Sequence, residues 1–142
     1  MRNPSDIVVL FVDDETDILT SLSRFLRKEP YQKLFAETAK QALVLLECNH
    51  VAIIISDFNM PEMNGLELIN KVKTRYPEII SLLISGHNNV EQIMNSGNPG
   101  DIFRFITKPV EPIALKEIIN DAIHHYCHES EDRSDRFTSD KN

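Results

Sequence analysis

Residues 51–61 read Val-Ala-Ile-Ile-Ile-Ser-Asp-Phe-Asn-Met-Pro, five apolar residues running unbroken into Ser56 and Asp57. A short β-branched run of this kind suits a strand buried on both faces, which is the environment inside a parallel sheet. Such a strand requires helices above and below it. It also sets Asp57 at its carboxyl end, where open α/β sheets hold their ligands. Pro61 and Gly65 punctuate the loop that follows.

The same design recurs along the chain. Residues 7–12 are a second unbroken apolar run, ending in Asp13, Asp14 and Glu15. Ile18, Leu19, Leu22, Phe25 and Leu26 then repeat at helical spacing, predicting a helix over 15–28 that stops before Pro30. A weak strand is expected over 33–36. Thr38 is a candidate cap for a helix through Cys48. After the 51–61 stretch, a helix is expected over 65–76, closed by Pro77, and a strand over 79–84, ending in Ser85-Gly86. A short helix with a poor apolar face follows over 90–96. The fifth strand, over 101–107, ends in Lys108-Pro109. The clearest amphipathic helix spans 113–129, and the polar residues 130–142 read as a frayed tail or linker behind a single domain, 1–129.

Strands and helices thus alternate five times. The pattern predicts an α/β fold with a five-stranded parallel sheet, helices on both faces and right-handed crossovers. At 142 residues the chain is too short for a six-stranded dinucleotide-binding fold. The doubly wound, flavodoxin-like order 2-1-3-4-5 fits, with its switch point between strands one and three.

That order brings five polar residues to one rim: Asp13 and Asp14 from strand one, Asp57 from strand three, Ser85 from strand four and Lys108 from strand five. Each alone reads as a solvated loop residue; five at carboxyl ends, all backed by apolar strands, point to a site. Three carboxylates there repel one another unless a small hard divalent cation gathers them through oxygen ligands. Lys108 adds a compact positive charge on a long stem. A divalent ion, an amine and a hydroxyl around a carboxylate form a site for a phosphoryl group, with Asp57 as the nucleophile.

Asp13-Asp14, Asp57 with Met60-Pro61 and Gly65, Ser85, and Lys108-Pro109 together resemble the motif set of response-regulator receiver domains of two-component signalling. The resemblance covers about 7–129. It implies that Asp57 accepts a phosphoryl group from a phosphohistidine on a sensor histidine kinase or a histidine phosphotransfer protein. It implies Mg²⁺ or Mn²⁺ held by Asp13, Asp14, Asp57 and the backbone carbonyl of Asn59. Lys108 and Ser85 would contact the phosphoryl oxygens, and Pro109 would follow a cis peptide. Phe105 matches the aromatic switch position, with simple core packing as its alternative. The signal would leave through helix four, strand five and helix five, toward an output domain or a separate partner, and helices four and five could also pair two copies. Asn59 and His87 would influence dephosphorylation. Gly86 stands where the family usually has Ala, and Phe105 lacks the hydroxyl of the commoner Tyr.

Other functional classes remain to be weighed. A phosphoaspartyl hydrolase also uses Asp, Lys and Mg²⁺, but usually has a second Asp two residues after the nucleophile, where this chain has Asn59. A degenerate docking module would not need all five rim residues. The expectation is therefore a switch whose only chemistry is its own phosphorylation and hydrolysis, not an enzyme with a separate substrate. The net charge of −7 argues against nonspecific nucleic-acid binding. No apolar run is long enough to span a membrane, and residues 1–6 lack a signal-peptide core, so a cytoplasmic setting is expected. Cys48 and Cys127 make no disulfide framework. His124, Cys127 and His128 crowd one helix end, where zinc is a minor alternative to favourable placement of His at a helix C-terminus.

Overall fold

The structure is a computed structural model that describes residues 3–95 and 102–139. Five strands form one parallel sheet in the order β2-β1-β3-β4-β5. They are β1 (Val8–Val12), β2 (Gln32–Ala36), β3 (Ile53–Asp57), β4 (Ile80–Ser85) and β5 (Arg104–Thr107). The helices are α1 (Thr16–Phe25), α2 (Ala39–Cys48), α3 (Gly65–Arg75), α4 (Val90–Asn95) and α5 (Pro112–Ser139). The expected fold class and strand order are both found.

Side-chain alternation along the strands sorts the core into two layers. Val9, Phe11, Ile53, Ile55, Leu82 and Ile84 face Leu19 of α1 and Leu115, Ile119 and Ala122 of α5. Leu10, Val12 and Ile54 face Ala42 and Leu46 of α2 and Leu68 and Val72 of α3. A smaller cluster of Phe58, Leu66, Ile69, Leu83 and Ile93 seats α4. Every residue of β3 and of β4 is buried. Burying a side chain of Ile size contributes roughly 1.5–3 kcal/mol, so β3 and β4 are anchored along their whole length.

Local signals set the helix ends. Thr38 caps α2, its side chain accepting from the Gln41 amide at 3.0 Å. Asn64 and Glu67 form a reciprocal capping box at the start of α3. The sequence-based end of α5 at Glu129 is too early, because helical backbone continues to Ser139. Neither Gly nor Pro occurs between 113 and 139 to stop it. The expected end of α4 at Ser96 and start of β5 at Asp101 lie outside the described residues, but the strand begins later than expected, at Arg104, with Ile102 and Phe103 outside it.

Candidate functional site

Strand register brings the rim residues level. Val12 pairs with Ser56, so Asp13 follows directly beside Asp57. Asp57 pairs with Ile84, which puts Ser85 one step beyond it. Ser85 pairs with Thr107, and the Lys108 amide donates to the Ser85 carbonyl at 3.0 Å. All five residues named from the sequence therefore lie at this rim. Asp13, Asp57 and Ser85 are buried, Asp14 is exposed and Lys108 is half-buried. The Lys108–Pro109 peptide is cis.

Lys108 Nζ stands 2.8 Å from Asp57 Oδ1. The contact is a close charge pair, since no hydrogen bond of good direction reaches that buried oxygen. Asp13, Asp14 and Asp57 each offer a carboxylate oxygen, and these oxygens lie within 4.8 Å of one another. A hard cation with bonds of ~2.1 Å spans ~4.2 Å between opposite ligands. The three acids therefore fit such an ion with little adjustment. Among the described residues this is the one group of three or more His, Cys, Asp or Glu side chains spaced to hold a metal. The His124–Cys127–His128 cluster does not form one; the neighbouring His125 lies 3.1 Å from Glu129 and packs on Phe103.

The electrostatics follow from three acids sharing one amine. Burial pushes Asp13 up to about 6; the Glu15 amide, bonded to its Oδ1 at 2.9 Å, opposes this, and the Asp57 charge adds to it. Burial also raises Asp57, outweighing Lys108, while Asp14 and Glu15 add repulsion. Burial would lower Lys108, but its contact with Asp57 and the surrounding acids hold the amine above its ordinary value. The surroundings favour the charge on the amine and disfavour those on Asp13 and Asp57, which is the electrostatic condition that draws in a cation.

The loop after β3 is fixed at both ends. The Gly65 amide donates to the Phe58 carbonyl at 2.9 Å. A Cβ on Gly65 would lie 2.2 Å from the Asp57 carbonyl oxygen, so only glycine lets α3 start this close to the site. Glu62, within that loop, has φ 70°. Asn59 is exposed, and its side chain pairs with buried Asn89, an involvement that no local pattern signals. Ser85 leads through Gly86 into a 3-10 turn at His87–Asn89; the side chain of His87 lies outside the described residues. Phe105 is 43% exposed, which excludes core packing for it in this conformation. Arg104 reaches Asp121 of α5 at 3.5 Å. An open cleft of about 710 Å³, lined partly by Asp14, Asn59 and Gln92, lies on the α4 side. A groove of about 700 Å³ runs between α1 and α5, from Lys108 and Pro109 over Ile18, Leu22, Phe25 and Leu115.

The family model described as the response regulator receiver domain matches residues 9–120. The hydrogenase transcriptional regulatory protein HoxA of Cupriavidus necator is 36% identical over 115 residues, covering 81% of this chain and 24% of HoxA. The chain spans about a quarter of the length of the first curated relatives it matches. The two-component response regulator ORR3 of Oryza sativa subsp. indica is 35% identical, covering 81% of this chain and 89% of ORR3. Among solved structures, the signal receiver domain of an HD domain-containing protein from Pseudomonas fluorescens Pf-5 superposes with a TM-score of 0.80 at 31% identity, covering 86% of this chain and 98% of the other.

Proposed function

This chain belongs to the response-regulator receiver family, and on that premise we propose that it is a phosphoacceptor switch in which Asp57 takes a phosphoryl group from a phosphohistidine. The observation that carries the reading is the convergence of Asp57, Asp13 and Asp14 with Lys108, whose Nζ stands 2.8 Å from Asp57 Oδ1. In the transfer, an Asp57 oxygen bonds to phosphorus while the phosphorus–nitrogen bond breaks, and the departing imidazole keeps that electron pair. Asp13, Asp14, Asp57 and the Asn59 backbone carbonyl would hold Mg²⁺ or Mn²⁺, which when bound neutralises charge developing on the phosphoryl oxygens. Lys108 neutralises and orients one phosphoryl oxygen, and Ser85 donates its hydroxyl to another. Asn59 and His87 influence how water reaches the acyl phosphate.

The donor is a sensor histidine kinase or a histidine phosphotransfer protein. The groove between α1 and α5 supports this, since it offers apolar surface that ends at Lys108. Phosphorylation adds charge and acceptor oxygens at Asp57. Ser85 moves toward them, and Phe105 turns into the space released. The α4, β5 and α5 surface then changes for an output domain or a separate partner. Exposed Val90, Met94 and Phe105 support that face as the one that signals, and α4 and α5 as the site of any homodimer. We assign the receiver to residues 1–129, with a polar tail over 130–142, acting in the cytoplasm and without direct contact to nucleic acid. No described helix is long and apolar enough to cross a membrane.

Incubation with acetyl phosphate and Mg²⁺, followed by intact mass, tests the reading. One slowly lost phosphoryl adduct is expected, absent in Asp57→Ala. Steady turnover of varied phosphate esters would instead indicate a hydrolase, and no adduct would leave a docking surface.

A further inference from the structure

Asn89 is buried, 4% exposed, at the end of the turn leading into α4. Its Oδ1 accepts from the Gly86 amide at 3.2 Å and from Asn59 Nδ2 at 3.1 Å. Its Nδ2 donates to Asn59 Oδ1 at 3.3 Å and to Gln92 Oε1 at 3.4 Å. A backbone amide can only donate, so the Gly86 contact fixes which end of the Asn89 amide is oxygen. One side chain thus joins three segments: the residue after Ser85, the residue two beyond Asp57, and α4. Asn is suited to the reciprocal pair because it presents a donor and an acceptor side by side; Asp presents acceptors alone.

From this geometry we infer that Asn89 is a positioning residue, a clasp that holds Gly86 and α4 against the Asn59 loop in the unphosphorylated protein and opens when Asp57 is phosphorylated. The inference rests on the phosphoacceptor reading of Asp57 and adds a residue that reading does not use. Ser85 cannot travel toward Asp57 without carrying the adjoining Gly86 amide, and that amide is bound to Asn89. The four bonds lie at the long end of the hydrogen-bond range, so they restrain the turn without locking it. Among the described residues of α4 only Ile93 is buried, so the clasp is a principal tether of this segment. A contact made only in the unphosphorylated packing biases the equilibrium toward that packing, and its removal favours the other.

The test is beryllofluoride binding, in Mg²⁺, to the full chain and to Asn89→Ala, Asn59→Ala and the double variant. Each single variant is expected to bind roughly three- to tenfold more tightly than the unaltered protein. The double variant is expected to match Asn89→Ala, because that substitution already removes both bonds to Asn59 together with those to Gly86 and Gln92. Amide exchange at Gly86 should also rise in Asn89→Ala without ligand. Unchanged or weaker binding in the singles would overturn the clasp, as would additive effects in the double variant. Asn59 is exposed, so Asn59→Ala reports on the pair even where Asn89→Ala fails to fold. An unaltered chain that binds no beryllofluoride and gains no phosphoryl adduct removes the phosphoacceptor reading and the clasp together. Normal binding there, with singles that match it, removes the clasp alone.

Discussion

The two halves of the carboxyl rim are built differently. On one side, Asp13 and Asp57 end strands packed between two helical layers, and β3 is buried along its whole length. On the other, Ser85 leads into a 3-10 turn and α4, which among its described residues has one buried side chain, beside an edge strand whose pattern is mostly exposed. The first half is held by apolar packing and stressed by its charges. The second is held by amide hydrogen bonds and carries exposed Val90, Met94 and Phe105. Charges that must meet within an ångström need a stiff frame, while an element that has to shift must have little to lose by shifting.

The sharpest way to break this contrast is a pair of matched truncations. Ile54→Ala in β3 should lower global stability by ~4 kcal/mol, as expected for a fully buried Ile that cannot be replaced by collapse. Ile93→Ala in α4 should cost less than half of that, with faster amide exchange confined to residues 88–95. Equal losses in urea melts would show that α4 is anchored as firmly as the sheet. Next in size, Gly65→Ala should cost on the order of 3 kcal/mol, because the new Cβ meets Asp57 backbone and not a yielding side chain. Its phosphoryl adduct should fall sharply as well, since any relief displaces Asp57.

The charge stress in the stiff half makes a prediction of opposite sign. The Asp13 carboxyl rises from 3.8 to about 6 on folding, so the folded state holds its proton more tightly than the unfolded chain. The associated stability is complete below about pH 4 and is lost as pH rises through about 6. In chelator-treated protein, Asp13→Asn should therefore stabilise by up to roughly 3 kcal/mol at pH 8 and by almost nothing at pH 4. A difference independent of pH would show that Asp13 is not strained by its surroundings. The smallest effect is expected in the less buried half: Phe105→Ala should change stability by only about 0.5 kcal/mol, given its 43% exposure. A large loss would mean that the ring is packed in solution.

The stiff half was also the legible half. Unbroken apolar runs such as 51–55 mark buried strands, and the acids directly after them fall at one rim by topology alone. Asp13, Asp14, Asp57, Ser85 and Lys108 could be read in this way. Asn89 could not, because its value lies in pairing with Asn59 thirty positions earlier, and nothing in the doublet Asn88-Asn89 tells the buried side chain from the exposed one. The exposure of Phe105 was equally hidden. On a short edge strand, alternation no longer decides which side chains are covered, and β5 buries Ile106 alone. The end of α5 escaped for another reason: polarity was read as an end signal, although polar residues do not stop a helix that meets neither Gly nor Pro.

The hydrogen bond from the Gly65 amide to the Phe58 carbonyl closes residues 59–64 into a ring whose base rests on the end of β3. Within that ring Asn59 is committed to Asn89 and Asn64 to the cap of α3, so length and composition have room to diverge only between them, over residues 60–63. A graft of different size there should leave β3 and α3 undisturbed while recasting the lip of the cleft beside Asp14 and Asn59.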